Sequence, residues 1–168
     1  MLSDVTGLFE SAVAGSAADR RLSRRLTDVW ARTARGRFPS WELFQEADLS
    51  DDWDWMFVVD IERSAGFPYF IYLGEHLAKL SDVFLCGPRD WSATLLEKAT
   101  EDIFSAVQDE GPYMREDNLT LCDGRSVLFR AVVLPLADDG ETITHVVGAA
   151  NGRFSHKSCS PKPALRAI

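Results

Sequence analysis

Residues 124–150 constrain the fold of this chain more than any other stretch. Two apolar runs, residues 127–134 and 142–148, flank Ala137-Asp138-Asp139-Gly140-Glu141. β-Branched and aromatic residues on either side of an Asp-Gly turn read as two antiparallel strands joined by a short loop. A second Asp-Gly pair, Asp123-Gly124, precedes them and brings in residues 113–121 as a third strand. The spacing predicts a three-stranded meander. It narrows the fold without supplying any catalytic set, so a small sensory or interaction domain is expected in preference to an enzyme.

Upstream, Asp19 is placed to cap a helix running to about Arg35, with Leu22, Leu26, Val29 and Trp30 forming one apolar stripe. Such a stripe covers either the chain's own core or the same helix of a second subunit. Gly36 and Pro39 end the helix. An irregular acidic segment follows. Residues 53–61 then read as a first strand and 69–74 as a second, both apolar enough to expect burial on two faces. Residues 75–91 read as short helix and loop. Ser92 caps a long helix that carries Leu95, Leu96, Ala99, Ile103, Phe104 and Val107 at helical spacing, and Gly111-Pro112 closes it.

At 168 residues, 46% hydrophobic and 26% charged, the chain has the length and composition of one soluble globular domain. No apolar run approaches the roughly 18 residues a bilayer span needs. A basic region leading into an apolar one is missing at the start, so no signal peptide is expected. Cys86, Cys122 and Cys159 are odd in number and far apart, which implies neither a disulfide framework nor a zinc site, and a cytoplasmic setting is expected. The net charge of −8 is unevenly spread. Between Asp19 and Arg37 there are seven arginines against two aspartates, whereas Glu42 to Glu62 holds eight acids and no Lys or Arg. Acidity overall argues against a nucleic-acid binder. The plainest reading of the asymmetry is a basic helix face opposite an acidic loop.

The element order is helix, two strands, a short helical crossover, a long helix and three strands. It resembles that of a PAS domain, in which an antiparallel five-stranded sheet carries helices across one face and encloses a small cavity. Local strings carry the likeness further. Arg35-Gly36-Arg37-Phe38-Pro39-Ser40, then Phe57-Val58-Val59-Asp60-Ile61-Glu62, resemble the entry to a family of bacterial stand-alone PAS proteins. Tyr69-Phe70-Ile71-Tyr72-Leu73-Gly74 resembles that family's second strand. Residues 133–140 with Val146-Val147-Gly148 resemble its closing hairpin. The crossover departs from the family, since Glu75-His76-Leu77-Ala78-Lys79-Leu80-Ser81-Asp82-Val83 has none of its Gly-bearing motif.

The resemblance implies an α+β, PAS-like fold with an N-terminal amphipathic helix. Residues 1–18 would form an arm or short helix, 19–152 the domain, and 153–168 a basic tail. It also implies a non-enzymatic sensory or regulatory role, with signals passing through partner proteins. Phe57, Tyr72, Trp91, Phe104 and Arg130 are the candidates for lining a ligand pocket, although aromatics at these spacings equally suit a plain core. Arg130 is a lone charge in an apolar strand, so it either meets an anionic ligand or faces solvent and pairs with an acid across the sheet. A homodimer is expected on Leu22, Leu26, Val29 and Trp30. No cofactor is specified by the residues. His76 is the one histidine considered as a haem ligand, and Cys86 lacks the string that surrounds a flavin-reactive cysteine. Histidines at metal-ligand spacing and GxSxG are missing. Two rivals stand beside this reading: an adaptor whose cavity its own side chains fill, and a cystatin-like α+β enzyme using His145 or Asp60 inside the sheet.

Overall fold

A computed structural model of the chain describes residues 22–83, 94–120 and 126–154. The expected arm, Asp19, Cys86, Trp91, Ser92, Cys122, the Asp123-Gly124 turn and the tail from Ser155 onward lie outside the described residues.

Five strands form one antiparallel sheet: β1 (Met56–Asp60), β2 (Tyr69–Leu73), β3 (Tyr113–Thr120), β4 (Ser126–Leu136) and β5 (His145–Phe154), in the order β2-β1-β5-β4-β3. The last three strands are the expected meander. β1 and β2 form a hairpin inserted beside β5, so the first and last strands lie together at the centre. This is a PAS-like α+β arrangement.

Strand limits differ from expectation for local reasons. Asp139 accepts the N–H groups of Glu141 and Thr142 at 2.8 and 2.7 Å, which curls the loop and delays β5 until His145. These backbone bonds, that of Thr142 first, hold the Asp139 carboxyl below its ordinary range. β1 begins at Met56, because Ser50–Trp55 forms a 3-10 segment instead of strand. That segment is fixed from two sides. Tyr72 donates its hydroxyl to the Trp53 carbonyl at 3.0 Å, and a Cβ placed on Gly74 would sit 2.4 Å from the Trp53 and Asp54 carbonyl oxygens. Only glycine permits that approach.

Helix α1 (Leu22–Thr33) precedes the short α2 (Trp41–Gln45), whose first turn is capped by Ser40. Helix α3 (Glu75–Val83) follows β2. The long helix expected after Ser92 is instead two short ones, α4 (Leu95–Thr100) and α5 (Ile103–Gln108). Thr94 starts α4 through a reciprocal capping box with Glu97. At its far end the Thr100 hydroxyl bonds back to the carbonyls of Leu96 and Glu97, which competes with helix continuation. Arg115 of β3 then draws Glu101 and Asp102 toward the sheet and fixes the break.

β1 is buried along nearly its whole length, as its apolar run predicts. β2 departs from the same expectation: as an edge strand with a neighbour on one side only, and with a bulge opposite Val58/Val59, it leaves Tyr69 and Ile71 exposed. Phe67, in the turn before it, is 84% exposed.

Candidate functional site

The PAS-like fold directs attention to the sheet face beneath α4 and α5, here called the inner face. Arg115 identifies it, because its guanidinium reaches Glu101 at 2.6 Å and Asp102 at 2.7 Å, at the α4–α5 junction. Cross-strand register places Arg115, Ala131 and Ala150 in one row of that face, with Tyr113, Val133, Gly148 and Phe57 in the next. On β4 and β5 the rows carry the small residues Ala131, Ala150 and Gly148, and the helices answer with Ala99 and Ala106, both fully buried. Small side chains on both sides let α4 pack closely on β4 and β5, and α5 on β4. The space that glycine leaves on β5 is used by the chain itself: a Cβ on Gly148 would lie 2.1 Å from Cζ of Phe57. The Phe57 ring is fully buried there, edge-on to Phe70 at 6.0 Å. Among the described residues this part of the inner face is filled.

The five pocket candidates therefore do not converge. Phe57 lies on the inner face. Tyr72 is in register with Val58 and so belongs to the opposite, outer face. It packs edge-on to Trp53 at 5.3 Å, in an aromatic group with Trp41 and Phe44. Burial, with a smaller contribution from Asp54, holds its phenol above the ordinary pKa. Trp91 lies outside the described residues. Phe104 sits on the solvent side of α5 at 66% exposure, since the break at Asp102 rotates it off the stripe that Ile103 and Ala106 bury. Arg130 is on the outer face directly opposite Glu116, with Nε 2.9 Å from Oε2. The cross-sheet ion pair accounts for its place in an apolar strand.

The stripe expected to cover either this chain's core or a second subunit packs on the chain's own core. Leu22 and Leu26 are fully buried within this chain, with Val29 and Trp30 packed against the same core. Trp30 donates its indole N–H to the Pro135 carbonyl at 2.6 Å. α1 packs on β4 and β5, whose outer-face residues Val132, Leu134, Val147 and Ala149 are fully buried. Of the two uses expected of the stripe, Leu22 and Leu26 serve the chain's own core, while Val29 and Trp30 are only partly buried.

Asp60 and His145 pair across β1 and β5 on the outer face, where the enzyme reading required an inner one. The Asp60 carboxylate accepts from the Arg63 backbone N–H, and His145 Nδ1 lies 2.9 Å from the Thr144 hydroxyl. His76 stacks flat on Trp55, with centroids 4.9 Å apart, and its buried Nδ1 has no hydrogen-bond partner. The nearest acid to that nitrogen is Asp54, 3.5 Å away. Among the described residues, no group of three His, Cys, Asp or Glu side chains is placed to hold a metal ion. Nor is any helix there long and apolar enough to cross a membrane.

No family model matches the sequence, and neither does any curated protein. Solved structures do. The LOV domain of a blue-light activated histidine kinase from Erythrobacter litoralis is 18% identical, with a TM-score of 0.40 over 60% of this chain and 96% of that one. The PAS domain of Bordetella pertussis BvgS is 13% identical, with a TM-score of 0.36 over 60% of this chain and 75% of that one. A PAS domain from Colwellia psychrerythraea is 14% identical, with a TM-score of 0.38 over 66% and 96%. At such distances no ligand, cofactor or activity is carried across from them.

Proposed function

We propose that this chain is a non-catalytic regulatory module of PAS-like fold, working in the cytoplasm through contacts with other proteins. One observation carries the reading: the Phe57 ring occupies the space over Gly148 on the inner face, where a ligand held by such a fold would rest. A domain that fills its own interior has its surface left to work with. The β2 side of the sheet leaves Phe67, Tyr69 and Ile71 exposed, and apolar side chains gathered at an edge mark contact surfaces more often than inert ones.

Native mass spectrometry before and after denaturation tests this. The expected result is a bare chain mass in both states. A stoichiometric small molecule that leaves on denaturation would overturn the reading and favour a ligand sensor.

A further inference from the structure

The arginine-rich helix and the acidic segment that follows it face each other across a groove of about 530 Å³, within the span of about 300–1,000 Å³ typical of binding sites. Their charges cancel only at one end. There Arg25 grips Asp52 with two bonds, Nε to Oδ2 at 2.9 Å and Nη2 to Oδ1 at 2.5 Å. Beyond that pair the walls carry Asp28, Asp48 and Asp51 against the single cation Arg32. Among the described residues, the carboxylates of Asp28 and Asp51 meet no donor, and Asp48 accepts only the Ser50 hydroxyl at 2.9 Å. The groove is thus net acidic after its internal pairing is complete.

A second feature is independent of charge. Trp55 lines the groove while more than nine-tenths buried, with Leu49 beside it. Its indole N–H donates to no group among the described residues, although its ring is held by the His76 stack. His76 Nδ1, and not this N–H, is the buried unpartnered atom among the described residues, so the indole donor is open to water at the groove and an incoming carbonyl oxygen can replace that water. An apolar floor with one donor, beneath acidic walls, matches a peptide: a backbone carbonyl for Trp55, an aliphatic stem for Leu49, and an ammonium or guanidinium for Asp48 and Asp51.

We propose that this groove docks a basic segment of a partner protein. The inference rests on the reading that the chain works through protein contacts. It is tested with the full chain by fluorescence anisotropy, using a short labelled lysine-rich peptide that contains a leucine, and its glutamate-for-lysine counterpart. The basic peptide binds and weakens with added salt, while the acidic one does not bind. Asp48→Asn with Asp51→Asn weakens binding about tenfold or more, and Trp55→Phe, which keeps a ring but removes the N–H, about fivefold. Equal binding of both peptides, or unchanged affinity in the Asp48→Asn/Asp51→Asn chain, overturns the proposal. So does an affinity that rises about tenfold when Lys157, Lys162 and Arg166 are replaced by serine, because the chain's own tail would then be the occupant. Absent peptide binding with a bare native mass removes the groove alone; a co-purifying small molecule removes the contact reading instead.

Discussion

The two faces of the sheet solve the problem of cover differently. The inner face is sealed by helices close in sequence to the strands they cover, with alanines on both surfaces and one phenylalanine filling the gap at Gly148. The outer face is covered over β4 and β5 by α1, which arrives from the start of the described chain. Over β3 it is open, with Met114 63% exposed and Glu116 paired to Arg130. Apolar cover makes a face indifferent to charge chemistry, whereas the open half must satisfy its polar groups locally. A substitution should therefore cost most under cover and least in the open.

The largest effect is expected where the cover was first read as a subunit interface. Leu26→Glu places a carboxylate in a fully buried site with no cation assigned to it, a loss of about 4–5 kcal/mol or more. Against a typical stability of about 5–15 kcal/mol, that leaves the chain largely unfolded by circular dichroism. A dimer interface would instead yield a folded monomer. Leu26→Ala, expected to cost about 2–5 kcal/mol in urea titration, keeps the test informative if the glutamate variant fails to express.

The inner face gives the next effect, and it is a coupling. Gly148→Ala drives a methyl group into the Phe57 ring and should cost about 1–3 kcal/mol. Phe57→Ala leaves a void and should cost about 3–5 kcal/mol. Combining Gly148→Ala with Phe57→Leu should be milder than the separate losses predict, by about 1 kcal/mol or more in a double-mutant cycle. Strict additivity would show that the ring does not fill that space.

The sheet was legible because its signals are local: apolar runs rich in β-branched residues on either side of Asp139-Gly140 mark β4 and β5, and the element order predicts the rest. What escaped depends on partners distant in sequence. Nothing near Phe104 announces that Arg115 will break the helix at Asp102 and turn the phenylalanine outward. Arg130 fits a cavity or an ion pair equally well until Glu116 is known to be its cross-strand neighbour. The apolar stripe of α1 fits a core or a subunit interface, and only the bare outer face of β4 and β5 decides between them. The Trp55 groove had half a signal, in the juxtaposed basic and acidic runs. The indole donor that gives it a floor became visible only once residues 50–55 proved to be a 3-10 turn and not strand.

The smallest effects separate two arginines, one on each face. Arg115 makes bonds to Asp102 on both carboxylate oxygens, and Asp102 is 5% exposed. Arg115→Met would leave that acid unpaired, at about 1–3 kcal/mol. Arg130 meets Glu116 in the open, so Arg130→Met should cost no more than about 1 kcal/mol. The two should also differ with pH. Burial by itself would raise the Glu101 pKa, but Lys98 and Arg115 outweigh it and hold the group below its ordinary 4.5. A carboxylate with a depressed folded-state pKa stabilises the fold above pH 4.5 and loses that contribution as pH falls through the lower folded value. Removing Arg115 takes away part of the depression, so the fall in stability below pH 4.5 becomes shallower in Arg115→Met. Arg130→Met leaves Glu101 and its partners in place and should keep that part of the wild-type acid limb. Urea midpoints measured from pH 3 to pH 7, which brackets the ordinary carboxylate pKa of about 4, read both effects at once. Parallel acid limbs for wild type and Arg115→Met would mean that the junction of α4 and α5 is not clamped to β3 through charge.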